Sequence, residues 1–420
     1  MVEYASGTLV AVRPFVQRPD GEATIIGDVD RKVYLAIPTE GLDILNALSA
    51  GKTVGEAAQA YQDKHREQVD INDFLQTLER EGFVAPADTV PRDAHAHQHK
   101  QVKSFSFDWI SPKMAKRLTG KTVFFTGLSL IIVGLVLLFD DPGLMPTSKA
   151  LVFEGGNFAL LMIVTFIVAM MGVSIHEIAH ATAARSVGVS ATLGISNLMW
   201  VLVAQTDISG IWMVSKAARI KAYLAGFFID LSLSSILVIY LHGARNGYLP
   251  TSNSVLLWAY AVLATFLFRI IFQFFFYLRT DIYYVLATLV NAKNLMGDTE
   301  RLLNNIVKRL TFRRHKVISQ DNIPRRERRW VRVYAGVWVF GRIFALVALT
   351  FTILPVLWVY IQQVYFLFSG QPHRFTTADF VVIVVLSFLV TGGGLILWMV
   401  NLTREILGHR RDARQGVVRI

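Results

Sequence analysis

Ser174-Ile175-His176-Glu177-Ile178-Ala179-His180 lies inside an apolar run, Phe158 to Ala184, that is otherwise nearly free of charge. On a helix, residues four apart share a face, so the imidazoles of His176 and His180 can ligate one zinc ion. Glu177, beside the first of them, is then placed to act as general base on water activated by that ion. A run of this length predicts a helix that crosses a bilayer. Ionisable groups are costly at that depth and mark a functional site. The stretch therefore predicts a polytopic α-helical membrane protein with metal chemistry inside one of its helices.

Composition agrees. Of 420 residues, 53% are hydrophobic and 17% charged, a balance that excludes an ordinary soluble enzyme. With no cysteine, disulfides and thiolate ligands are excluded, so any metal must rest on His, Asp or Glu. The net charge of +11 is clustered between apolar spans, which points to topology and an anionic membrane face; no nucleic acid is expected as a partner. Met1 to Ile37 mixes charges with short apolar stretches and has no continuous signal-peptide core, so the N-terminal part is expected in the cytoplasm.

About six stretches are long enough to span a bilayer: 121–139, 158–184, 218–241, 254–278, 331–361 and 379–401. Lys113, Lys116, Arg117 and Lys121 precede the first. Lys216, Arg219 and Lys221 separate the second from the third. A basic stretch, 301–332, separates the fourth from the fifth, and Arg404, Arg410, Arg411, Arg414 and Arg419 follow the sixth. The alternate loops are poor in Lys and Arg, so both termini are expected in the cytoplasm, as in a protein of the bacterial inner membrane. His176 and His180 then fall in the cytoplasmic half of the second span.

Residues 1–88 read as a small α+β domain. Leu9–Val16 and Ala23–Ile37 alternate like paired strands around a turn at Arg18-Pro19-Asp20-Gly21. Helices are expected over Thr39–Leu48, from Thr53 (an N-cap with Glu56 three residues on) to about Arg66, and over Asp70–Glu81 before Gly82 and a short strand at Phe83-Val84. Strands with three small helices predict a winged-helix-like module. Ile37-Pro38-Thr39-Glu40-Gly41-Leu42-Asp43-Ile44-Leu45, Gly51-Lys52-Thr53-Val54, Asp73-Phe74-Leu75 and Glu81-Gly82-Phe83-Val84 resemble the PqqD-like family. That resemblance implies a recognition domain for the leader of a ribosomally made, modified precursor peptide. Residues 89–120 read as a linker and basic membrane approach; its His95, His97 and His99 are read as part of a polar tether, with metal binding the lesser reading.

A catalytic zinc ordinarily has three protein ligands. Asp281, after the fourth span at the cytoplasmic side, is the leading third candidate, and Asp207 is the next. Asp230 is mid-span, and Arg269, at similar depth, is its expected ion-pair partner, with Arg342 an alternative. His176 to His180, the string Ala225-Gly226-Phe227-Phe228-Ile229-Asp230, Asp281 with Tyr283-Tyr284, and Asn294-Leu295 together resemble the site-2 protease family, in particular its peptide zinc metalloprotease branch. The resemblance covers about residues 120–300. It implies an intramembrane zinc peptidase core at 121–300, a basic cytoplasmic loop at 301–332 and C-terminal transmembrane helices with a basic tail at 333–420. It implies His176, His180 and Asp281 as zinc ligands and Glu177 as the catalytic base. The chain departs from it in carrying Ile282 where many members have Gly after this Asp, and Asp230 where they have Asn. For the broken apolar stretch Val187–Ile208 the resemblance implies a membrane-embedded hairpin that can pair with an extended substrate, and a re-entrant loop covering the site is the other reading. The partners expected are the bilayer and a precursor peptide, or another membrane-associated protein substrate. A protease acting on an anchored regulator, and a non-catalytic part of a peptide export or immunity system, are the alternative readings.

Overall fold

The computed structural model describes residues 4–21, 23–67, 70–87, 105–146, 158–198, 201–292, 294–311, 323, 325–348, 350 and 376–397, with scattered positions in 358–369 and 399–403. The histidine-containing part of the tether, 95–99, lies outside them. The described chain is mostly helical, with a small N-terminal domain that carries strands.

In that domain β1 (Val10–Val12) pairs antiparallel with β5 (Val84–Pro86), while β2 (Val16–Asp20), β3 (Ala23–Asp28) and β4 (Val33–Pro38) form a second sheet in that order. Three details differ from the strand expectation. The segment 9–16 does not run as one strand against 23–37, because Val10–Val12 turns away to meet the domain's last strand. The stretch 23–37 folds back on itself at 29–32, where Lys32 takes a left-handed φ of 55°. The expected turn at Arg18-Pro19-Asp20-Gly21 sits later, since β2 continues to Asp20 and only Gly21, at φ 71°, leaves extended backbone. Three helices follow: α1 (Gly41–Ser49), α2 (Val54–His65) and α3 (Ile71–Arg80). Thr53 and Glu56 form the reciprocal capping box, and Gly82, at φ 74°, ends the third helical segment. Ile26, Ile37, Ile44, Leu45, Leu48, Leu75, Leu78 and Phe83 make one buried core between sheet and helices.

A short strand, β6 (Phe105–Ser106), and α4 (Pro112–Leu118) lead to the apolar helices. Those are α5 (Lys121–Asp140), α6 (Phe158–Arg185), α7 (Lys216–Arg245) and α8 (Asn253–Phe272). Among the described residues, four helical segments are long and apolar enough to cross a membrane: Pro112–Asp140, Ala159–Arg185, Lys216–Arg245 and Asn253–Phe272. They match the first four expected spans except that the fourth stops at Phe272, where the chain unwinds until α9 (Asp281–Leu289). The expected basic loop at 301–332 is in part helical, because α10 (Leu295–Leu310) runs through the boundary placed at 300. α11 (Arg325–Ala348) and α12 (Thr377–Ser387) occupy parts of the last two expected spans. Asp379 of α12 accepts the backbone N–H of Ala159 at 2.6 Å and so caps the start of α6.

Between α6 and α7 the apolar stretch forms the expected hairpin, as β7 (Thr192–Leu198) and β8 (Val201–Asp207), in register from Thr192↔Asp207 to Leu198↔Val201. β6 pairs with β7, so the sheet runs β6-β7-β8. The helices pack through small residues, which let backbones approach where lipid gives no hydrophobic drive. A Cβ on Gly127 would sit 2.6 Å from Phe228, and one on Gly134 2.7 Å from Ser235, so α5 lies directly on α7. Gly134→Ala is expected to destabilise the bundle by about 1–3 kcal/mol. Gly336→Ala, with nothing within 4 Å of the added carbon, is expected to be neutral or slightly stabilising. Unfolding of both variants in mixed micelles checks the contrast.

Candidate metal centre

α6 carries His176, Glu177 and His180 on its last turns, all buried. At 1.5 Å per residue, His180 and His176 lie about 7 and 14 Å along the axis from Arg185, the end of the helix. That end is fixed by Arg185, whose guanidinium donates to Asp108 at 2.9 Å and to the Ile110 carbonyl at 3.0 Å.

α9 supplies the third group. His176 Nε2 lies 3.0 Å from Asp281 Oδ2, His180 Nε2 lies 3.2 Å from the same oxygen, and the two Nε2 atoms are 3.0 Å apart. Asp281 is placed by the break after α8. Gln273, the first residue past that helix, accepts the Asp281 backbone N–H on Oε1 (3.0 Å) and donates from Nε2 to Oδ2 (2.9 Å). Thr280 caps α9 and donates to the Gln273 carbonyl at 2.9 Å, closing the loop on itself. The departure at Ile282 therefore leaves Asp281 in position, since its orientation comes from Gln273 and the cap.

The tautomers of both histidines follow from their outer partners. His180 Nδ1 faces the Ala222 carbonyl at 2.8 Å, and a carbonyl only accepts, so the proton is on Nδ1. His176 Nδ1 faces Asp230 Oδ2 at 2.8 Å, which assigns it the same tautomer. In the neutral rings both Nε2 atoms then present lone pairs to each other and to a carboxylate oxygen. Three acceptors about 3 Å apart repel unless a proton or a metal ion lies among them. A tetrahedral ion with ligand bonds of ~2.0–2.1 Å sets its ligand atoms about 3.3 Å apart, close to the spacing seen. Among the described residues, this trio is the one group of His and carboxylate side chains with ligand atoms all within 4.8 Å.

One stripe of α7 shapes the cluster. Ala222, Gly226 and Asp230 recur every four residues and so share a face. Ala222 gives its carbonyl to His180 and Asp230 its carboxylate to His176. A Cβ at Gly226 would come within 2.5 Å of both imidazoles, so only glycine leaves room for the pair. Asp230 is fully buried, and its second oxygen forms the expected ion pair with Arg269. That pair sets the Arg269 guanidinium against the carboxylate that also meets His176. The contact of Asp230 with His176 was not legible in the sequence. Arg342, the alternative partner, lies 4.8 Å from the Trp338 ring centre instead. Asp207, the second candidate ligand, accepts from Lys32 at 2.8 Å.

Glu177 meets β8. The backbone N–H of Thr206 donates to Glu177 Oε2 at 2.7 Å, and the Thr206 hydroxyl donates to the Glu177 carbonyl at 3.2 Å. Its carboxylate is thus beside the trio without belonging to it.

Outer partners of metal ligands typically contribute 10–100-fold in affinity. Gln273→Ala and Gly226→Ala are each expected to weaken binding of a divalent ion by about that factor, with helix content unchanged. Zn2+ titration calorimetry on the purified chain, paired with circular dichroism, measures both. No family model, curated protein or solved structure matches this chain.

Proposed function

We propose that this chain is a zinc-dependent intramembrane peptidase, with His176, His180 and Asp281 as ligands and Glu177 as the base. The observation that carries the proposal is the convergence of two imidazole lone pairs and one carboxylate, with a second carboxylate one residue along, inside an apolar helix. Two imidazoles, a carboxylate and no sulfur form a donor set suited to zinc with an open position. Bound there, zinc would acidify water toward neutral pH and polarise a peptide carbonyl.

The remaining steps belong to the protein's own groups. The Glu177 carboxylate takes a proton from the attacking water and passes it to the leaving amine. Thr206, through its N–H, holds that carboxylate in one orientation. Ala222 and Asp230 hold the imidazoles in the tautomer that offers Nε2. The apolar walls of α6 and α7 keep bulk water low, which strengthens each of these interactions. Substrate reaches this depth from the cytoplasmic end, about two turns away. The hairpin beside Glu177 offers extended backbone against which a peptide can lie with its scissile bond unfolded.

The N-terminal domain is read as the site that captures a precursor peptide and raises its effective concentration near the membrane. The chemistry is then maturation of a peptide precursor by removal of its leader. Six spans, with both termini in the cytoplasm of a bacterial inner-membrane protein, complete this reading.

Glu177→Gln is expected to keep one zinc per chain while lowering hydrolysis of a fluorescein-labelled casein at least 100-fold. Cleavage at the ordinary rate in that variant contradicts the mechanism. For topology, reporters fused at Ile420 and near Asn246 are expected on opposite sides of the membrane, and same-side results contradict it.

A further inference from the structure

The sheet β2-β3-β4 of the N-terminal domain rests directly on the base of the hairpin that holds Glu177. Lys32, at the left-handed position of the β3–β4 turn, reaches both hairpin strands. Its Nζ donates to Asp207 Oδ2 at 2.8 Å on β8 and to Thr192 Oγ1 at 3.1 Å on β7. Thr192 and Asp207 are register partners, so one ammonium clasps the first rung of the ladder. The residue next to Asp207 is Thr206, whose N–H holds the Glu177 carboxylate.

Lys32 is itself held in place. Asp28 accepts the Arg31 backbone N–H at 3.1 Å, and Arg31 donates to the carbonyls of Gly82 (2.9 Å) and Glu81 (3.0 Å), tying the turn to the end of α3. Two further contacts set the same sheet on the membrane-embedded part. Arg18 donates to the Trp212 carbonyl at 3.3 Å, and Arg219 at the start of α7 donates to Asp20 at 2.7 Å, with its guanidinium 5.3 Å from the Trp212 ring centre. The packing is close: a Cβ on Gly210 would lie 3.3 Å from the Tyr34 hydroxyl. Burial works to raise the Asp207 carboxyl, but Lys32 and Ser209 outweigh it and hold it below its ordinary value.

We propose that Lys32 is a positioning residue for Glu177: the N-terminal domain, through this one ammonium, fixes the hairpin base and thereby the orientation of the base carboxylate. Capture of a peptide by the domain and the geometry of the proton-transfer group are then mechanically linked, although Lys32 itself reaches Thr192 and Asp207 and not Glu177. The proposal rests on the peptidase reading for its catalytic consequence, while the coupling itself can be read without activity. The side chains of Lys32 and Asp207 are 32% and 40% exposed, so their pairing contributes little to overall stability, and its effect is expected in geometry.

The experiment uses the full chain in proteoliposomes and reads two quantities. The first is hydrogen exchange of the 201–207 segment, which reports whether Thr206 N–H stays engaged. Lys32→Ala and Asp207→Lys are expected to speed it about fivefold, Lys32→Arg to leave it unchanged, and the exchanged pair Lys32→Glu with Asp207→Lys to restore it. The second is hydrolysis of fluorescein-labelled casein. Lys32→Ala is expected to lower kcat about fivefold with KM and zinc content unchanged, and the exchanged pair to recover at least half the loss. A general structural defect would lower zinc content and would not be rescued by exchange of charges. Unchanged exchange in Lys32→Ala, or no rescue by the exchanged pair, overturns the proposal whatever the activity. Faster exchange with rescue, in a chain that never hydrolyses casein when zinc is bound, upholds the coupling and overturns the peptidase reading.

Discussion

Repulsion among three acceptors is the constraint on which the rest of this structure depends. His176 Nε2, His180 Nε2 and Asp281 Oδ2 stand 3.0–3.2 Å from one another between packed helices, and in the neutral rings both protons are committed elsewhere. Such an arrangement is tolerable only around positive charge. Much of the surrounding chain follows from keeping it. α8 ends where Gln273 can grip Asp281, α7 gives up a side chain at Gly226, and Arg269 is carried to membrane depth to balance Asp230.

The second constraint is imposed by the bilayer. Backbone groups beside helices long and apolar enough to cross it must find partners within the protein. The stretch after α6 is too rich in glycine and branched residues for a stable helix, and it meets this demand as the β7–β8 ladder. β6 adds to the outer side of β7, while on the β8 side one backbone N–H, that of Thr206, is spent on Glu177. The hairpin thus serves two ends. It satisfies its own backbone, and it fixes the one acidic side chain of α6. The same hairpin is where the N-terminal domain lands, so that domain and the apolar helices meet at the element that holds the candidate base.

Much of this was legible in the sequence, and the reasons differ from residue to residue. His176, Glu177 and His180 could be read because helical periodicity alone places them, and Asp281 because few acidic residues share that depth. The first four apolar helices could be read because bilayer thickness sets their length. Gln273 escaped, because its role depends on where α8 unwinds, and apolar composition continues to Leu278 with no glycine or proline to mark the break. Asp230 was read as half of an ion pair; its contact with His176 required knowing how α7 rotates against α6. The clasp at Lys32 gave no local signal, since its partners are 160 and 175 residues away. Contacts between domains leave little periodicity in either partner.

X-ray absorption at the zinc edge, on the purified full chain, tests the central claim most directly. One zinc per chain is expected, in a first shell of nitrogen and oxygen at about 2.0–2.1 Å, with the multiple-scattering signature of two imidazoles and no sulfur. Replacing His180 by Ala should reduce that signature to one imidazole or abolish binding. Substoichiometric zinc in the intact chain, a shell without imidazole, or a spectrum unchanged in His180→Ala would contradict a metal centre built from His176, His180 and Asp281.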